Sequence, residues 1–483
     1  MGMQTPTRHP ADPGTPRSRK IALLAAVVFA GLLIVLQNSM AVNQLISEQQ
    51  TPAAEQEAGS NVPPPSPAEP FTLSARFAVQ TQDMPGWFTG EPEEVMPVLD
   101  AWATGDADRA RAAIVAGELV GADEAVRRLE TLKEDLPDDS PLRGDIDTLL
   151  TIYRDGGRPD EAAAETLKKH HGFFGEVALT HGLPDTDPRR AGLVGGGARL
   201  VAVLLGVGAL VIAAMTVGLV LFIAALVLLL TGRIRPRMPR PEPGGSVFLE
   251  TYALFAAAFV VMSVGLDLVG EALPEADWLL HVQIVLQWLL LLVPLWPLRR
   301  GMSLKRLAGA IGWHRGEGVL KEMGCGVLGY LAGLPLLAAG MGLSMGLMVI
   351  VQVIRAAAGL GPPPPPDSAV FDLAASQSPI VLVLFFLLAT VWAPLCEESI
   401  FRGALYRHLR GRFGIVASAL AAALLFGLSH NYGPVLVFPV VALGFTFCML
   451  REWRGSLIAS MTAHSMHNAT ITLVLFFVLK MIS

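Results

Sequence analysis

Charged residues are scarce in this chain. They make up 16% of its 483 residues, against about 25% in an ordinary soluble domain. That scarcity excludes a single water-soluble globule. Cysteine is scarcer: only Cys325, Cys396 and Cys448 occur, all in or beside apolar runs. The polar region 38–197 has none, so no disulfide framework supports it, and the three thiols read as small packing residues. Excess positive charge is also missing. A net charge of -6 gives no reason to expect a nucleic-acid partner. The H-E-x-x-H signature of helical zinc proteases is absent too.

What is present is apolar. Hydrophobic residues make up 52% of the chain, and they are gathered into runs long enough to cross about 30 Å of hydrocarbon. The first lies at 21–37. The others are 200–231, 246–269, 278–298, 322–354, 378–396, 414–430, 434–450 and 456–479. Together they predict an all-α, polytopic membrane bundle of about nine spans. Pro335 is expected to break the long run at 322–354. Arg greatly outnumbers Lys, and Ala, Gly and Pro abound, a composition typical of a GC-rich bacterial genome.

The segments divide as follows. Residues 1–20 read as a disordered cytoplasmic tail, and 21–37 as an uncleaved membrane anchor. The competing reading of 21–37 is a signal cleaved near Ser39-Met40-Ala41. Residues 38–197 read as a linker followed by a small exported helical domain. There Gly105-Asp106 and Gly121-Ala122-Asp123 look like helix punctuation, and Ala113, Leu119, Val126 and Leu129 look like core. This domain is where a substrate or partner protein could be captured. His170, His171 and His181 match no standard metal spacing and read as surface histidines. Membrane helices fill 198–356, a Pro-rich external loop 357–377, and a functional membrane core 378–483.

Orientation follows from basic residues. Arg233, Arg235, Arg237 and Arg240 form one cluster, and Arg299, Arg300, Lys305, Arg306 and Arg315 a second. Arg407, Arg410 and Arg412 form a third, and Arg451 with Arg454 a fourth. With the N-terminus inside, nine spans place all four on the cytoplasmic side. Residues 38–197 then lie outside the cell membrane.

Ionisable residues at membrane depth are costly and usually functional. Glu397, Glu398 and Arg402 occur in APLCEESIFRGALYRHLRGR, His430 in LLFGLSH, and His464 with Asn468 in MTAHSMHN. If the helices are regular, Glu397 lies roughly 20 Å deep, His430 roughly 24 Å and His464 roughly 15 Å. Glu398 and Arg402 share a helix face and can pair, as can His464 and Asn468. Two carboxylates, two imidazoles, an amide and a guanidinium thus converge from three helices. Taken singly, each could be a structural ion pair or a helix–helix hydrogen bond.

In order, E-E-S-I-F-R-G at 397–403, F-G-L-S-H at 426–430 and H-S-M-H-N at 464–468 resemble the three motifs of the CPBP family. These are the CAAX prenyl endopeptidases and the bacteriocin-processing or Abi proteins. The resemblance covers roughly 378–480, and residues 1–200 have no counterpart in the minimal family. It implies hydrolysis of peptide bonds in membrane-associated protein or peptide substrates. Glu397 and His430 would activate water, His464 and Asn468 would face the oxyanion, and Glu398 with Arg402 would brace the first carboxylate. Glu397, His430 and His464 are also a two-histidine, one-carboxylate set of the kind zinc takes, so Zn2+ is the one cofactor to test. A non-catalytic scaffold or immunity protein on the same fold is the main alternative. A proton-coupled carrier is a weaker one, because no paired broken helices are evident.

Overall fold

The computed structural model describes residues 12–46, 62, 64–65, 69–86, 90–103, 105–195, 197–273, 278–359, 378–430 and 432–482. Every regular element among them is a helix, as the sequence predicts. The chain separates into two compact units. One comprises Met1–Ile46, Val211–Val351 and Ser376–Val474, the other Ser47–Leu210, Gln352–Ala375 and Leu475–Ser483.

Helix α1 spans Pro16–Ile46, longer at both ends than the apolar run inside it. Ordering also begins earlier than expected. The segment from Asp12 is held in place, with the Pro13 carbonyl accepting from the backbone N–H groups of Ser246 and Val247 and Asp12 paired with Arg407 at 3.0 Å. The anticipated disordered tail is therefore corrected from residue 12 onward. Backbone hydrogen bonds and an ion pair offset the ordering entropy that its polar, Pro-rich composition suggested would win.

The polar unit is a packed helical domain. Its helices are α2 (Pro70–Gln80), α3 (Pro92–Trp102), α4 (Asp106–Leu119), α5 (Ala122–Asp135), α6 (Leu142–Asp155), α7 (Glu161–His171), α8 (Phe173–Leu179) and α9 (Pro188–Val194). Gly105 and Gly121 stand at the N-caps of α4 and α5, and Asp160 caps α7 by accepting from Ala163 N. Small side chains let α4 sit at the centre: Ala110, Ala113, Ile114, Val115 and Ala116 are all fully buried. Leu129, Leu149, Leu167 and Phe174 close around it. Of the four expected core residues, Ala113 and Leu129 are fully buried, while Leu119 and Val126 pack at the margin.

The membrane helices follow as α10 (Gly197–Leu230), α11 (Val247–Ala272), α12 (Trp278–Gln287), a 3-10 stretch Trp288–Leu295 and α13 (Trp296–Arg299). Then come α14 (Leu304–Ile311), α15 (Val319–Ala357), α16 (Pro379–Arg410), α17 (Ile415–Leu428), α18 (Gly433–Arg454) and α19 (Ile458–Ile482). All nine apolar runs are helical. Six stretches among the described residues are long and apolar enough to cross a membrane: Pro16–Ser39, Pro188–Leu230, Val247–Ala272, His281–Arg299, Val319–Ala357 and Pro379–Arg410. Ile415–Leu428 has 14 residues, fewer than the about 20 a full crossing takes. Pro335 does not break α15, which runs through it for 39 residues. Such prolines are tolerated in membrane helices, where neighbours satisfy the freed carbonyls.

Packing in this unit depends on small residues, since lipid offers no hydrophobic gain between helices. On α1, Ala22, Ala26, Ala30 and Leu33 are buried, and the three alanines share one cluster with Tyr252 and Phe255 of α11 and Phe401 of α16. On α15, Gly326 comes so close to α19 that a Cβ there would stand 2.5 Å from the Ala459 carbonyl oxygen. Ion pairs bind the ends: Arg410 to Glu452 at 2.8 Å, and Arg454 to Glu322 at 2.8 Å.

Candidate active site

The site is built on a helix with irregular winding. Within α16 the segments Leu388–Trp392 and Glu398–Leu405 are π-helical, with a short α-helical piece, Ala393–Glu397, between them. π-Turns are rare and concentrate at functional sites. Glu397 sits at the junction. The second π segment is entirely buried, from Glu398 to Leu405. Gly403 permits this: a Cβ there would meet Ile311 Cγ2 at 2.6 Å.

Glu398 and Arg402 pair as the spacing predicts. Arg402 Nη1 donates to Glu398 Oε1 at 2.9 Å, and neither side chain is exposed at all. Arg402 Nη2 donates to the Gly444 carbonyl at 3.2 Å. Its guanidinium carbon lies 4.2 Å from the Phe426 ring centroid and 5.0 Å from that of Phe447. A charge this deeply buried survives only with its counter-charge and its hydrogen bonds in place.

The histidines come next. His464 Nδ1 donates to Glu398 Oε1 at 3.1 Å, which leaves the ring's other nitrogen, Nε2, turned toward Glu397. That Nε2 is 3.8 Å from Glu397 Oε2. His430 repeats the arrangement. Its Nδ1 donates to the Phe426 carbonyl at 2.7 Å, and its Nε2 is 3.9 Å from the same Glu397 Oε2. Glu397 Oε2 is itself buried without a hydrogen-bond partner, as is Glu398 Oε2. Two imidazole Nε2 atoms thus face one orphaned carboxylate oxygen, beyond direct hydrogen-bonding distance. A buried acceptor in this state is the kind of exception that calls for a functional reason.

His430 differs from expectation in one respect. Helix α17 ends at Leu428, so His430 lies in the turn after it rather than inside the helix. Its ring stacks on Tyr432 at 5.9 Å.

Asn468 is on α19 with His464, but its amide is committed elsewhere. Nδ2 donates to the Ala389 carbonyl at 2.8 Å, and Ser465 Oγ donates to the Thr390 carbonyl at 2.7 Å. Both carbonyls belong to the first π segment. Asn468 and Ser465 therefore tie α19 to that segment, and one N–H of the Asn468 amide is left for other use. His467 instead turns to α15, edge-on to Tyr330 at 6.0 Å.

Sequence reasoning missed Ser465, Tyr432 and Phe447. It noted Phe426 only as a motif letter. That ring touches four functional groups: Arg402, Phe401, His430 and His464. Its place four residues before His430 was the available signal.

Donor chemistry suits zinc. Both histidines have Nδ1 tied to an oxygen and Nε2 free, the outer-shell pattern of metal-bound imidazole, and the carboxylate oxygen is unpartnered. Spacing is looser than a zinc site. A tetrahedral set with bonds near 2.0 Å has edges of about 3.3 Å, and no group of three His, Cys, Asp or Glu among the described residues is close enough to hold a metal.

A separate cavity of about 540 Å³ lies against Leu395 and Ser399 of α16, with Trp313, Met461 and Pro294 among its walls. None of the six motif residues lines it.

The histidines of the polar unit form two clusters, not one. His170 Nδ1 and His171 Nε2 share Asp145 Oδ2 at 2.7 and 3.2 Å, while His181 Nδ1 bonds Glu118 Oε1 at 2.9 Å. His171 is fully buried, which corrects its reading as a surface residue. Burial pushes the His171 imidazole below its usual value. Burial raises the Asp145 carboxyl, but the hydrogen bonds from His171 and His170 outweigh it and hold the group below the usual range.

Comparison with known proteins bears on the membrane core. Residues 379–470 match the family model of the Rce1-like, type II CAAX prenyl endopeptidases. Over 92 residues the chain is 36% identical to an uncharacterized protein of Mycoplasma capricolum subsp. capricolum, covering 18% of this chain and 26% of that protein. The chain therefore spans about a quarter of that relative's length. No solved structure matches. With the three motifs brought together in space and the family match lying across all of them, residues 379–470 of this chain are similar to the Rce1-like, type II CAAX prenyl endopeptidases, which supports a CPBP-type intramembrane protease core.

Proposed function

We propose that the protein is an intramembrane endopeptidase that hydrolyses peptide bonds of membrane-associated protein or peptide substrates. The observation that carries this reading is Glu397 Oε2, buried, unpartnered and faced by the Nε2 atoms of His430 and His464. Separations of 3.8 and 3.9 Å suit a water held among the three groups better than direct contact. Glu397, supported by His430, accepts a proton as the water oxygen bonds to the scissile carbonyl carbon. The carbonyl π electrons move to its oxygen. His464, donating from an Nε2–H, and the remaining N–H of Asn468 stabilise that oxyanion. When the oxyanion collapses, the C–N bond breaks and the amine leaves with the proton taken by Glu397. Glu398 and Arg402 hold His464 and the backbone around Glu397 in register.

Glu397, His430 and His464 would also be the residues to hold Zn2+. A bound zinc would supply Lewis acidity and lower the pKa of its water. The prenyl-CAAX specificity in the family's description is not carried over, because the composition points to a bacterium. We assign the N-terminus to the cytoplasm and residues 38–197 to the outside, on the four basic clusters. A reporter fused after Gln82 is then exported and one after Arg240 is cytoplasmic.

The deciding experiment is membrane-fraction proteomics of cells carrying wild type or Glu397→Gln. Cleavage products lost in the variant at equal protein abundance support proteolysis. Identical peptide profiles, with full complementation of the deletion phenotype, leave a non-catalytic scaffold on the same fold.

A further inference from the structure

The sequence of the first helix fits either an anchor or a cleaved signal. Its contacts give it another role. In a membrane every backbone carbonyl needs a partner, and the last four of a helix have none within the helix. For α17 those are Leu425, Phe426, Gly427 and Leu428. Leu425 O accepts from Ser429 N and Ser429 Oγ. Phe426 O accepts from His430 Nδ1 and Ser429 Oγ. Gly427 O accepts from His430 N at 3.1 Å. Leu428 O accepts from Asn38 Nδ2, on α1, at 2.9 Å. Asn38 is 8% exposed, and the same amide donates to Ile34 O at 2.9 Å. Both of its N–H bonds are therefore used, one to its own helix and one across to α17.

We infer that α1 is retained as a working part of the catalytic core and that Asn38 is a positioning residue for His430. The two residues are linked through the turn. His430 is two residues past the end of α17, and its ring nitrogen is fixed by the Phe426 carbonyl in the same terminal turn. Asn38 satisfies the remaining carbonyl of that turn and holds it in one winding. Without it, Leu428 O must find water or another donor, and the turn carrying His430 loosens. The cytoplasmic end of α1 is fastened independently, through Ser18 Oγ to Ser246 Oγ at 2.8 Å, so α1 is tied at both ends. This inference rests on the proteolytic reading only for the consequence to turnover, not for the geometry.

The test uses the full-length protein purified in detergent. Its intact mass reports whether residues 21–46 remain. Hydrogen exchange of the peptide covering 425–432 is compared in wild type, Asn38→Ala and Asn38→Gln. Retention of α1, about 10-fold faster exchange in Asn38→Ala and recovery in Asn38→Gln support the proposal. With any cleaved substrate found by the proteomics above, kcat falls about 10-fold in Asn38→Ala while KM holds. A mature chain beginning after Asn38 overturns it, and so does unchanged exchange in Asn38→Ala. Should Asn38→Ala not fold, Asn38→Ser, with a shorter donor, replaces it under the same criteria. Because exchange is read without turnover, failure here is distinguishable from failure of the protease assignment.

Discussion

Both units of this protein bury histidines against carboxylates, and the difference between them separates support from chemistry. In the polar unit, Asp145 Oδ2 accepts from His170 and His171. Glu118 accepts from His181 on one oxygen and Arg190 on the other. Among the described residues, no carboxylate oxygen there is buried without a partner. In the membrane core, Glu398 anchors His464 through Oε1 in the same supporting way, and both Glu398 Oε2 and Glu397 Oε2 are buried without a partner, but it is Glu397 Oε2 that the Nε2 atoms of His430 and His464 face. Leaving a buried acceptor unmet costs about 1–3 kcal/mol. A buried His–carboxylate pair is therefore weak evidence of a site, whereas an unmet carboxylate oxygen faced by two histidine nitrogens is strong evidence.

The largest test of that contrast is Glu397→Gln. It keeps size and hydrogen-bonding capacity and removes the basic oxygen. Cleavage should fall by about 10² to 10⁴, with abundance and melting temperature in detergent unchanged. A drop in stability instead would place Glu397 with the supporting carboxylates.

Arg402→Ala should lower stability as well as cleavage. It leaves Glu398 charged and unexposed, at a cost of about 3–5 kcal/mol. The measurement is yield and melting temperature of the detergent-solubilised protein. An Arg402→Ala variant that melts like wild type would show that Glu398 has other support.

Asp145→Asn sharpens the comparison from the other unit. It removes a charged acceptor shared by two histidines, worth about 1.5–3 kcal/mol, and cleavage should be untouched. Acid should act on the same cluster. His171 has a lowered value in the folded protein, so the unfolded chain takes up its proton first. Its contribution is complete above the unfolded value near 6.5 and is lost as pH falls below it toward the folded value. The lowered Asp145 carboxyl adds a second loss below its unfolded value near 3.9. Circular dichroism melts from pH 7.5 to 5 should show falling stability in wild type. The fall should be smaller in His171→Phe.

The smallest effect expected is from chelation. On the water-based reading, 1,10-phenanthroline leaves cleavage within about 2-fold, because the three donors stand wider than the about 3.3 Å edge of a zinc set. Loss of activity restored by added Zn2+ would assign the metal to Glu397, His430 and His464.

Much of this was legible in the sequence because it depends on spacing within one helix. Glu398 and Arg402 are four apart and do pair, and the all-helical membrane architecture follows from the runs. What could not be read depends on backbone winding. Nothing in the letters says that Leu388–Trp392 and Glu398–Leu405 are π-helical, or that Asn468 gives one of its two N–H groups to the Ala389 carbonyl. His430 looked helical because its run is apolar to the end, yet the helix stops two residues earlier. Asn38 was unremarkable beside a hydrophobic segment, since its target is a carbonyl 390 positions away. His171 was hidden by lying at the end of a polar helix.

The two π segments have a further consequence, for how this helix can change by insertion and deletion. A π-turn holds one residue more than the α-turn it replaces. Excising one residue from Leu388–Trp392 would let that stretch rewind as α-helix. Because the wide turn already absorbs the extra residue, everything after it would keep nearly its present direction. Glu397 and Glu398 are neighbours, about 100° apart around the axis. A deletion in a plain α-helical stretch of α16 would turn one toward the direction the other now faces, so the π segments let the helix lose a residue without changing which of the twin glutamates meets the histidines.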